Sequence, residues 1–69
     1  MISVIVDIYA DPKDNDKIIV SAECSKPFDL GSPSPTKSVH IQDRTEQLST
    51  WISIAAKEAY NDYVSRLYS

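Results

Sequence analysis

The sequence predicts a small α+β domain: a three-stranded antiparallel sheet of order β-β-loop-β with one C-terminal helix packed on one of its faces. Three observations carry this. Apolar and polar residues alternate through 2–10 and 17–24, the period of half-buried strands. The stretch 25–37 holds Pro27, Pro33, Pro35 and Gly31, the only glycine, so it is neither helix nor central strand. Beyond residue 43 the apolar period becomes that of a helix.

The first strand spans 2–10. Ile2, Val4, Val6, Ile8 and Ala10 share one face, and Ser3, Asp7 and Tyr9 share the other. Ile5 breaks the alternation by standing among the polar set. "DPKDND" at 11–16 is turn chemistry: Pro12 fixes φ, and the Asp and Asn side chains bond nearby amides. The second strand spans 17–24, with Ile18, Val20, Ala22 and Cys24 apolar, Lys17, Ser21 and Glu23 opposite, and Ile19 a second exception. The short connection makes an antiparallel hairpin the natural pairing. In the loop 25–37, Phe28 and Leu30 are expected to anchor the chain to the core. The third strand is expected at 38–42, with Val39 and Ile41 inward and His40 outward.

The helix is expected over 44–67. Asp43 stands as its N-cap, with Glu46 three residues on to complete a capping box. Leu48, Trp51, Ile52, Ala55, Ala56, Ala59, Tyr60, Tyr63 and Leu67 fall within half a turn of one another at about 100° per residue. The alanines let the helix approach the sheet closely, and Trp51 is expected to be buried there. Ile54 falls on the polar side, and Tyr68 lies off the apolar arc. The whole of 1–69 reads as a single domain.

Composition narrows the function classes. The net charge is −3 and the isoelectric point is near 4.8, and the seven lysines and arginines are scattered rather than clustered. A nucleic-acid binder concentrates cations against phosphates, so direct binding of DNA or RNA is not expected. No stretch approaches the ~20 apolar residues of a membrane span, and no basic region precedes an apolar core as in a signal peptide. One cysteine allows no internal disulfide and fits a reducing compartment, so the cytoplasm, including that of a host cell, is the expected location.

Chemical motifs are absent from the sequence. The acids of "DPKDND" lack the glycine and spacing of a calcium loop. Cys24 has no basic neighbour to activate it and reads as a small core residue. His40 has no second histidine or paired cysteine for a metal site. The lone glycine cannot build a phosphate-cradling loop, and no nucleophile motif surrounds the serines. No catalytic, metal or cofactor role is expected.

What remains is a surface. Ile5 and Ile19 share the outer face of the hairpin with Tyr9 and Asp7, and one helix covers only one face of a sheet, so either the loop 25–37 folds back over them or another chain does. These four, with His40, Ile54 and Tyr68, are the candidate contact residues. The expected function is that of a non-enzymatic interaction protein that caps another macromolecule, a protein with a basic surface. A homodimer or a self-associating assembly subunit is the alternative, and a nucleic-acid-associated regulator is the third reading. In size, acidity and lack of catalytic groups the chain resembles the small inhibitors and regulators encoded by phages and other mobile elements. That resemblance is one of profile, and no motif in it is specific to one family.

Overall fold

The computed structural model describes residues 1–27, 31–45 and 47–68. Three strands, β1 (Ser3–Asp11), β2 (Asp14–Ser25) and β3 (Thr36–Asp43), precede one helix, α1 (Leu48–Leu67). The sheet order is β1-β2-β3 with both pairings antiparallel. This is the α+β architecture the periodicity predicts.

The hairpin is tighter than the composition of "DPKDND" suggests. Only Pro12 and Lys13 turn, because Asp14 already belongs to β2 and pairs with Asp11. The Lys13 amide donates to Asp11 Oδ1 at 2.9 Å and the Asp16 amide donates to Asp14 Oδ1 at 2.9 Å. These side chains satisfy amides that a longer loop would leave to solvent. Asp16 is held from the far side as well, its carbonyl accepting the Arg44 amide at 3.0 Å. A register shift between Ala10 and Asp11 absorbs the bend.

β2 is the central strand and carries the core. Val20, Ala22 and Cys24 are fully buried under Ala55, Ala59 and Tyr63 of α1. Ile2, Val6, Ile18, Leu48, Trp51, Ile52 and Leu67 pack around this centre as partly buried residues. Small residues dominate both layers, which brings helix and sheet close. The Thr36 hydroxyl bridges them, donating to the Ala59 carbonyl at 2.7 Å in a buried position.

The expectation for β3 is reversed. Register pairs His40 with Val20 and Ile41 with Ile19, and directly opposed residues share a face. His40 therefore points to the helix, while Val39 and Ile41 face outward, 50% and 56% exposed. A polar inner row is tolerated because β3 is an edge strand whose groups find partners: Thr36 on the Ala59 carbonyl, and His40 on the Glu58 carboxylate.

The helix start also differs. Asp43 is the last residue of β3, and its carboxylate is paired with the Lys17 ammonium across the strands. It is thereby unavailable as an N-cap. The helix begins after Gln47, which is extended at φ −71° and ψ 108° and makes no side-chain capping bond. At the other end the Tyr68 amide donates to the Val64 carbonyl at 3.1 Å. Trp51 is partly buried against the core, tilted against the His40 ring with centroids 5.3 Å apart. Phe28, Leu30 and Glu46, expected as loop anchors and as the capping-box acid, lie outside the described residues.

Candidate interaction surface

The outer sheet face is built in cross-strand rows. Tyr9, Ile19 and Ile41 form one row, Asp7, Ser21 and Val39 the next, and Ile5, Glu23 and Lys37 the third. Successive rows alternate along the strands with residues that point to the helix. Ile5 is 58% exposed and Tyr9 47%, while Ile19, flanked by Tyr9 and Ile41, is half-buried. The apolar row is thus contiguous across all three strands. Among the described residues nothing encloses Ile5.

Charges flank the apolar row at both ends of the face, and Asp7 stands in the row beside it. Glu23 and Lys37 stand opposite each other at one end, and Lys17 and Asp43 form an ion pair at the other. The hydrogen bond to Asp43 raises the Lys17 pKa above its ordinary value, helped by the Asp43 charge and by Asp14 and Asp16 nearby. At the hairpin end Lys13, Lys17 and Arg44 meet four acids, Asp11, Asp14, Asp16 and Asp43, which leaves a small negative excess there.

Four of the predicted contact residues, Ile5, Asp7, Tyr9 and Ile19, come together on this face. Three do not. His40 lies on the helix side, where its Nε2 meets Glu58 Oε1 at 2.7 Å and the Ser38 hydroxyl at 3.3 Å. A carboxylate only accepts, so Nε2 carries the proton in the bond to Glu58. Ile54 is half-buried on the helix, and Tyr68 is 82% exposed beyond the helix end. Val39 and Ile41, equal members of the surface, are the residues the sequence reading placed in the core. A signal for them exists. Over 36–43 the odd positions hold Lys37 and Asp43, whereas the even positions hold only uncharged hydrogen-bonding groups and the histidine. A strand read over its full length assigns the charged phase to solvent.

Cys24 is fully buried, and burial pushes its thiol pKa up, which suppresses the thiolate. Among the described residues there is no group of three His, Cys, Asp or Glu side chains placed to hold a metal, and no enclosed pocket. No described helix is long and apolar enough to cross a membrane.

Comparison with protein-family models, with curated proteins and with solved structures finds no match.

Proposed function

We propose that the protein is a non-enzymatic interaction module that caps the surface of another protein with its outer sheet face. The contiguous row Tyr9–Ile19–Ile41, lying on the face that α1 does not cover, is the observation that supports this reading. Removing large aliphatic side chains from water contributes about 1.5–3 kcal/mol each when they become fully buried. A few such residues suffice to dock a small protein. The acids at the hairpin end favour a partner with a basic rim, where charge complementarity speeds encounter and fixes orientation. The mechanism is steric: the partner's surface is occupied, and no bond is made or broken. A regulator or inhibitor acting inside a cell, of the kind phages and mobile elements encode, fits this profile.

The test uses the double variant Val39→Thr/Ile41→Thr, since Thr keeps the β-branch and both side chains already face solvent. Wild-type protein is used to capture a partner from host lysate, and the purified partner is then titrated with both forms. The variant is expected to melt with wild type and to bind about 10- to 100-fold more weakly, the scale of one to two partly buried aliphatic groups. Unchanged affinity in a folded variant would remove the outer face from the function.

A further inference from the structure

The helix sits off-centre on the sheet. The contacts of His40 with Trp51 and Glu58, and of Thr36 with the Ala59 carbonyl, tie α1 to β3. The fully buried residues of the sheet's inner face lie on β2 and β3. On β1 the same face is open: Val4 is 38% exposed and Ile8 is 44% exposed. The helix flank opposite Glu58, about 160–220° around the axis at 100° per residue, carries Ser49, Ser53, Ala56 and Tyr60 and no charge. An uncharged trough therefore runs along the inner side of β1, between that strand and the helix.

β1 is also an edge strand, and the two edges of this sheet differ. Edge strands are normally protected by charge, proline or a bulge. β3 carries Lys37 and Asp43, and its inner residues Thr36 and His40 are bonded to the helix. Between Ser3 and Ala10, β1 carries only Asp7, no proline and no irregularity. The molecule's surface area adds to this. It is 4862 Å², whereas a folded monomer of this mass is expected to expose about 4300 Å². The excess of about 560 Å² is roughly two-thirds of the ~800 Å² that each partner buries in a standard dimer interface.

We infer that β1 pairs antiparallel with β1 of a second copy, about a two-fold axis at Val6, to form one continuous six-stranded sheet with both helices on the same face. The register follows from charge and from face. Opposed residues must share a face, so the two-fold axis passes through a residue. An axis at Asp7 would set two carboxylates directly against each other, which is unfavourable. An axis at Ile5 shortens the overlap. An axis at Val6 sets Val4 against the partner's Ile8, Ile5 against the partner's Asp7, and Val6 against itself. Val4 and Ile8 then close the trough between the two uncharged helix flanks. The outer faces become one surface, so this inference goes beyond the docking proposal and does not depend on it.

The test combines sedimentation of the wild-type protein with cysteine cross-linking. Sedimentation is expected to show concentration-dependent conversion from monomer to dimer that stops at dimer. Opposed residues in an antiparallel pair have Cα atoms about 4.5–5.5 Å apart, within disulfide reach. Under mild copper–phenanthroline oxidation the Val6→Cys variant is expected to form a covalent dimer. Ile8→Cys, although more exposed, is expected to form none, because its copy in the partner lies four residues along the strand. Wild-type protein in the same oxidant reads any cross-linking through Cys24. A monomer at every concentration, growth past dimer, or a dimer in which Ile8→Cys cross-links as readily as Val6→Cys would each overturn the inference. Loss of partner binding in Val39→Thr/Ile41→Thr, with cross-linking through Val6→Cys retained, separates this interface from the docking face.

Discussion

Among the described residues Tyr63 is the largest fully buried side chain, and its hydroxyl has no hydrogen-bond partner there. A buried hydroxyl without a partner destabilises the fold by about 1–3 kcal/mol relative to a satisfied one. Tyr63→Phe keeps the ring that fills the core beside Ala55, Ala59 and Cys24 and removes only the unsatisfied atom. The variant is expected to melt above wild type, by about 4–8 °C for each 1 kcal/mol gained in a domain of this size. A lower melting temperature would show that the hydroxyl is satisfied in solution. Single residues were legible in the sequence where one force acts alone. Cys24 and Tyr63 follow the apolar period straight into the core, and Ile5 stands out because it violates that period. His40 was not legible. Its inward position depends on Glu58, eighteen residues away in the chain, and a local pattern contains no such information.

At the scale of elements, β1, β2 and the body of α1 follow from periodicity, and β3 does not. A strand with apolar residues at only two positions has little to fix its phase, so tertiary register decides. The pairing with β2 sets Val39 and Ile41 outward and places His40 under the helix. The two readings of β3 predict opposite outcomes for two substitutions. His40→Ala removes a hydrogen bond to a carboxylate and an aromatic contact, and should cost about 1–2 kcal/mol. Val39→Thr changes an outward residue and should stay within about 0.5 kcal/mol. Denaturant melts of both variants measure the difference, and the reverse order would restore the inward phase for Val39. The element ends were the least legible. Asp43 has the chemistry of an N-cap, but Lys17 competes for the same carboxylate, and the strand pairing that brings them together is nonlocal.

The whole molecule is thin and long, 41 × 20 × 17 Å, with a radius of gyration of 13.4 Å. A compact chain of this length would have a radius near 11 Å. Such a shape leaves little depth for burial, and stability then rests on few groups. Two of them titrate in the same direction. Burial raises the Cys24 pKa above its ordinary 9.0, so the folded state favours the neutral thiol. The Asp43 hydrogen bond raises the Lys17 pKa above its ordinary 10.5, so the folded state favours the ammonium. A raised folded-state pKa contributes stability that is complete below the unfolded value and is lost as pH climbs through the folded one. Both losses fall on the alkaline side, that of Cys24 beginning near pH 9 and that of Lys17 higher. Urea melts at about pH 8 and pH 10 should show stability falling with pH, and Cys24→Ala should flatten part of the fall. An equally steep fall in Cys24→Ala would acquit the thiol.

The order β1-β2-β3-α1 has a kinetic consequence during synthesis. Each strand lies beside its neighbour in sequence, and the Pro12–Lys13 turn lets the hairpin close as soon as it leaves the ribosome, on the microsecond scale typical of hairpins, about 1–10 μs. Translation proceeds at about 5–20 residues per second, so the helix follows the strands by seconds. Throughout that interval Val20, Ala22 and Cys24 have no lid, because Ala55, Ala59 and Tyr63 have not yet emerged from the ribosome. In that window the nascent sheet exposes its apolar inner face, the kind of surface that invites aggregation and chaperone recognition.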